Sequence, residues 1–129
     1  MLVVRKQQLA ALTAAAEQRF LANLCAFVAE RSPSVAADQG EAQRMVEAGV
    51  ARARGHGLRE QRAIALFVML MFEQAPNFDE HPRVAELLAA PGGSPEARLR
   101  RVAGSITEAE WAAVRAASDP SAWQPPPLE

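Results

Sequence analysis

Hydrophobic positions recur at helical spacing along most of this chain, and one stretch breaks the rhythm by having no polar face. Ala63 to Phe72 reads Ala-Ile-Ala-Leu-Phe-Val-Met-Leu-Met-Phe, with Arg59, Glu60 and Arg62 before it and Glu73 after it. A bilayer-spanning helix needs about 20 apolar residues, roughly twice what is present, so the run reads as protein interior. Periodicity alone does not separate a buried strand from a buried helix in such a run; the flanks do. Nothing between Leu58 and Gln74 breaks a helix, Gly57 and Pro76 stand at the two ends, and Met, Leu and Ala favour the helical state. The pattern predicts a central helix over 59–74, covered nearly all round by the rest of the chain.

The covering elements follow from the same patterning. After a short apolar lead-in, residues 5–31 place Leu9, Leu12, Ala16, Phe20, Leu24, Phe27 and Val28 at helical spacing among polar residues, predicting one long amphipathic helix that Ser32-Pro33 stops. Asp38 and Glu41 have the spacing of a capping box for a second helix. Met45, Val46, Val50 and Ala53 form its inner face, Gly49 admits a close neighbour, and Gly55-His56-Gly57 supplies a left-handed end. Past the central helix, Ala75 to Pro82 reads as an ordered loop anchored by Phe78, and Pro82 opens a short helix over 82–90 with Val84, Leu87 and Leu88 inward. Pro91-Gly92-Gly93 is a turn. Ser94-Pro95-Glu96 starts a helix that carries Leu99, Val102 and Ile106 and fades near Gly104. Thr107 and Glu110 form a second capping box for a last helix through Ala117, carrying Trp111 and Val114. No period-2 run bounded by hairpin turns occurs. The expected fold is all-α, a single-domain bundle of five or six helices over residues 1–117.

Residues 118–127, Ser-Asp-Pro-Ser-Ala-Trp-Gln-Pro-Pro-Pro, read as a non-helical, extended proline-rich tail. Leu128-Glu129 has the form of a remnant before an appended affinity tag. With 129 residues the chain is long enough to bury a core without disulfides or metals. Its net charge of −1 gives no bulk attraction to nucleic acid or anionic membranes. A single cysteine, Cys25, leaves no internal disulfide and suits a reducing compartment. Arg5 and Lys6 precede any long apolar run, so no signal peptide is read, and the expected location is the bacterial cytoplasm.

Candidate chemistry is sparse. Cys25 sits at helical spacing from Leu21 and Val28 with no neighbouring base, which suits a small buried residue better than a nucleophile. Asp79-Glu80-His81 has metal-ligand types but not ligand spacing; Asp79 or His81 as the cap of the next helix is the preferred reading. Arg52, Arg54, His56, Arg59 and Arg62 gather around the glycine turn, a positive cluster suited to a solvated turn or an acidic protein partner. Interleaved aromatics, which single-stranded nucleic acid binding calls for, are missing there. Phosphate-cradling and nucleophile-elbow motifs are absent from the sequence, and Glu108/Glu110 fit the first turn of a helix. No catalytic residue, metal ligand or cofactor is assigned, and the expectation is a non-enzyme. Trp123 ahead of Pro125-Pro126-Pro127 has the composition of a docking segment, or of a terminus whose tryptophan folds back on the domain.

The order of short motifs also resembles a known group. These are Val4-Arg5-Lys6-Gln7-Gln8, Phe20, Gly49-Val50 with Ala53, Gly57, Leu70-Met71-Phe72, Pro76-Asn77-Phe78-Asp79 and Pro82. Over residues 3–90 they resemble small all-helical proteins encoded beside spike, tip and toxin genes of type VI secretion and related contractile injection systems. Pro76-Asn77 replaces a glycine of that pattern, and its tryptophan after Pro82 is absent here. The resemblance implies a binding role: an adaptor, chaperone or immunity-type accessory that engages a secreted toxin or spike component. The surface expected to carry it comprises Arg52, Arg54, His56, Arg59, Arg62, Asn77, Phe78, Asp79, His81 and Trp123. The alternative is a helical nucleic-acid-binding or regulatory domain, with the second and third helices as a helix-turn-helix. A small enzyme with a site assembled from Asp79, His81 and Glu residues, for which bound metal would be the sign, is a third reading. The long first helix leaves room for a homodimer seam.

Overall fold

The computed structural model describes residues 6–31 and 39–123, with the backbone alone for residues 6–13 and 39. Within these, six α-helices and two single 3-10 turns follow one another with no strand: α1 (Lys6–Arg31), α2 (Gln39–Gly55), α3 (Gln61–Glu73), a turn at Phe78–Glu80, α4 (Pro82–Ala89), α5 (Pro95–Ser105), α6 (Glu108–Ala116) and a turn at Pro120–Trp123. The fold is all-α, and none of the described helices is long and apolar enough to cross a membrane.

α3 packs against three of the other helices. Ala63, Ile64 and the run Phe67 to Met71 are buried, and α2 covers one side of it while α1 and α5 cover others. The helix is two residues shorter at its start than the sequence predicts, because Glu60 takes an extended backbone (ψ 133°) and Arg59 lies outside with it. α2 approaches α3 closely through Gly49: a Cβ there would stand 3.1 Å from Val68 Cγ2 and 3.3 Å from Met71 Sδ. Val46, Gly49, Val50 and Ala53, spaced by three and four, are the buried stripe of α2.

From residue 14 onward, α1 places few side chains in the core. Of its side chains from residue 14 onward, Leu24 and Val28 are buried and Phe20, Leu21 and Cys25 partly so. Phe27, expected on the inner stripe, is 44% exposed and lies beneath the Arg31 guanidinium, 5.4 Å from its ring centre. Ala16, also expected inward, is exposed. Leu9, Leu12 and the expected cap Asp38 fall outside the described side chains. Two surface ion pairs tie α1 to its neighbours: Arg31 at its last residue to Glu73 at the end of α3, and Glu17 near its middle to Arg54 at the end of α2.

Local sequence explains the remaining boundaries. Gly57 takes φ +87°, the left-handed end that closes α2. Ser94 Oγ accepts from the Ala97 amide, and Pro95 sits in the first turn of α5. At α6 both halves of the capping box form: Glu110 N–H donates to Thr107 Oγ1, and Thr107 N–H donates to the Glu110 carboxylate.

Candidate functional site

The polar centre of the molecule is assembled where α2 ends. Ala53 C=O accepts from the His56 amide, and Arg54 C=O accepts from the Gly57 amide. This tight turn carries the His56 ring over the core, 5.3 Å from the Phe67 centroid. Phe67 in turn packs on Phe78 at 4.8 Å, and Phe78 faces Trp111 at 6.3 Å. Phe78 is therefore a fully buried core side chain, which removes it from any partner-facing surface. Its burial fixes the next residue, Asp79, against the end of α2.

Asp79 has a side chain only 5% exposed, and it is fully engaged. Arg52 grips it with both forks: Nε donates to Oδ2 at 2.9 Å and Nη2 to Oδ1 at 2.8 Å. His56 Nε2 lies 2.7 Å from Oδ2. Arg52 Nη2 also donates to Glu80 Oε2 at 2.8 Å. Burial alone would raise the Asp79 pKa. Hydrogen bonds from His56 and Arg52, with the Arg52 and His56 charges behind them, outweigh it and hold the carboxyl below its ordinary value. An ionised carboxylate only accepts, so His56 Nε2 carries a proton toward Asp79 and Nδ1 faces away. An oriented imidazole of this kind suits proton transfer. Among the described residues, no hydroxyl or thiol hydrogen-bonds to it.

The positive cluster expected around the turn is thus divided. Arg52 and His56 are turned onto Asp79, and Arg54 is paired with Glu17 at 2.6 Å. Arg59 and Arg62 remain exposed, the Arg59 amide donating to the Glu96 carboxylate. His81, one of the two residues considered for the cap of α4, takes that role: its Nδ1 accepts from the Arg83 amide at 3.2 Å. Asp79 is the partner of Arg52 instead. Asn77 is a brace, donating to the Ala117 carbonyl and accepting from the Asp119 amide at 2.8 Å.

That brace sets the course of the chain after α6. Pro120–Trp123 forms a 3-10 turn, which corrects the expectation of a wholly non-helical segment from 118 onward. Proline is tolerated at the first position of such a turn, where no internal N–H bond is needed. The Trp123 ring lies 4.6 Å from that of Phe72, so the tryptophan folds back on the domain. Residues 124–129, including the three consecutive prolines, fall outside the described residues.

Between this turn and the outward side of α2 runs an open groove of about 1290 Å³. Met45, Ala48 and Ala51 line one wall and Pro120, Ala122 and Trp123 the other, while Arg52, His56, Asp79 and Glu80 also border it. The groove brings together four residues singled out from the sequence, Arg52, His56, Asp79 and Trp123, and leaves out Arg54, Arg59, Arg62, Asn77, Phe78 and His81. It adds Glu41, Arg44, Met45 and Ala48, which stand at helical spacing on the side of α2 away from Val46 and Val50; Met45, expected on the inner face, is half-buried in the groove wall instead.

Two other candidates resolve into structure. Cys25 is half-buried, and burial, then the Glu47 charge, raises its thiol pKa, the opposite of what a nucleophilic thiolate requires. No group of three or more His, Cys, Asp or Glu side chains converges as a metal set among the described residues. No family model, no curated protein and no solved structure matches the chain.

Proposed function

We propose that this chain is a non-catalytic, cytoplasmic protein-binding accessory, of the adaptor, chaperone or immunity type, in a bacterial secretion or toxin system. The observation that supports it is the groove between α2 and the Pro120–Trp123 turn: a long concave surface with apolar walls and charged borders. Such a surface suits a peptide-like segment better than a small molecule, because it is open along its length. The secretion context draws on the motif resemblance over residues 3–90. The test is a tagged pull-down from cells expressing the locus, run in parallel with wild type and Ala48→Arg, followed by mass spectrometry. A spike or toxin component recovered near equal stoichiometry by wild type and lost with the variant supports the reading. Recovery of no specific protein sinks it, and equal recovery by both removes the groove as the binding surface.

A helical nucleic-acid-binding domain is the second reading. Arg59, Arg62, Arg100 and Arg101 are exposed and make no ion pair among the described residues, and they belong to the packed neighbours α3 and α5 and the lead into α3. The buried character of α3 argues against a groove-reading helix, since Phe67 to Met71 offers no base-contacting face. Salt-dependent duplex binding that falls on Arg100→Glu would favour this reading.

A further inference from the structure

The chemistry of the groove indicates what occupies it. Its lining holds five carboxylates, Glu41, Glu47, Asp79, Glu80 and Asp119, against two guanidiniums, Arg44 and Arg52. Pairing with Asp79 and Glu80 engages those carboxylates as much as it engages Arg52, so what the groove presents is the net excess of carboxylates over guanidiniums in its lining. The groove also follows the last turns of α2, and the carbonyl end of a helix adds partial negative charge. Negative potential is therefore concentrated here in a chain whose overall charge is only −1.

The walls add a second requirement. Met45 is half-buried, Ala48 and Ala51 are short, and Trp123 presents part of its ring. Aliphatic stems fit against such walls while cationic heads reach carboxylates, which is how arginine and lysine bury their methylenes and keep their charge solvated or paired. Resting on the protein-binding reading above, we infer that the groove takes a basic, arginine- or lysine-rich segment of a partner protein. The residues that follow the turn, Gln124 to Pro127, are the wrong match by charge, because they bring no cation.

The experiment titrates the full ¹⁵N-labelled chain at 150 mM salt with two synthetic 16-residue probes. One repeats Arg-Ala-Ala-Leu and the other Glu-Ala-Ala-Leu. The expected result is saturable amide shifts confined to α2 residues 44–55 and to 119–123 with the basic probe, and binding at least tenfold weaker with the acidic one. Ala48→Arg, which adds bulk and positive charge on an outward position, is expected to reduce basic-probe binding at least tenfold with an unchanged circular dichroism spectrum. Equal response to both probes, shifts elsewhere, or no response overturns the inference. So do groove shifts that appear on raising protein concentration alone, which would identify a second copy as the occupant. The two levels separate cleanly. A partner captured by wild type and lost with Ala48→Arg, with no response to the basic probe, leaves the protein-binding reading standing and removes the charge assignment. A partner still captured by Ala48→Arg removes the groove from both.

Discussion

The two faces of α2 obey different rules. The inward face, Val46, Gly49, Val50 and Ala53, is buried and meets α3 so closely that a single added carbon at Gly49 would press on Val68. The outward face, Arg44, Met45, Ala48 and Arg52, is exposed or half-buried and lines the groove. One helix thus carries a surface constrained by volume and a surface constrained by charge. The Arg52–Asp79 contact is where the two meet, because it lies at the groove border yet depends on the core to hold Asp79 in place. Substitutions on the first kind of surface should cost stability, and those on the second should cost binding.

The largest effect is expected in the core that supports the site. Phe67 is fully buried between His56 and Phe78, so Phe67→Ala removes a ring and leaves a void at the junction of α3 with the Phe78–Glu80 turn. Loss of about 3–5 kcal/mol is expected from denaturant unfolding. Backbone shifts in the residual folded state should concentrate at 56 and 78–80. A loss below 1 kcal/mol would show that the core collapses around the void and does not depend on this ring.

Asp79→Asn comes next. It keeps the shape and removes the charge from a pair in which Asp79 is 5% and Arg52 26% exposed. Breaking a buried pair costs about 3–5 kcal/mol, and the partial exposure of Arg52 and its remaining bond to Glu80 reduce the expectation to about 2–3 kcal/mol at pH 7. The pH dependence has a definite sign. Asp79 is held below its ordinary pKa in the folded state, so its contribution is complete above the unfolded value, about 3.9. It fades as pH falls through the lowered folded value. The stability gap between wild type and Asp79→Asn should therefore be constant from pH 5 to 7 as far as Asp79 is concerned, and close below pH 4. A gap that persisted there would assign the effect to geometry and not to charge.

These two residues also mark the limit of what the sequence discloses. Features set by neighbours in the chain were legible: the Thr107/Glu110 box, the Ser94-Pro95 start, the glycine end of α2 and the apolar run of α3 all act within a few residues. The Arg52–Asp79 grip spans 27 residues of sequence, and no local rule couples those positions. It arises only when α2 packs on α3 at Gly49 and the aromatic stack places Asp79 against the end of α2. For the same reason a row of cations, Arg52, Arg54 and His56, reads as a positive surface in the sequence although two carboxylates from other parts of the chain, Asp79 and Glu17, absorb it in the fold. Phe27 shows the reverse failure. Its spacing placed it on the inner stripe, but around it α1 buries only Leu24 and Val28, and Arg31 covers the ring instead.

A smaller effect is expected away from the helix that carries the groove. Thr107→Ala removes one hydroxyl that accepts the Glu110 amide, and a cap of this kind contributes about 1 kcal/mol. Denaturant unfolding should register that loss with an unchanged dependence on denaturant. Since Thr107 does not line the groove, basic-probe binding should stay within twofold of wild type. A large drop in binding would mean that the two regions are coupled through the Asn77 brace, which joins the end of α6 to the site.

The smallest stability effect and the largest binding effect should coincide at Ala48. The position is half-buried on the outward face of α2, one residue before Gly49, so its side chain leaves the helix roughly 100° away from the packed stripe. Arginine is a good helix former, and replacing alanine with it there should change stability by no more than about 0.5 kcal/mol. The same long cation would occupy the groove between Met45 and the Pro120–Trp123 turn and satisfy carboxylates that an incoming basic segment needs. Binding should fall at least tenfold while the unfolding midpoint stays put. If instead Ala48→Arg destabilised the protein as much as Phe67→Ala, the outward face would have to be counted as core, and the division of α2 into a volume face and a charge face would fail.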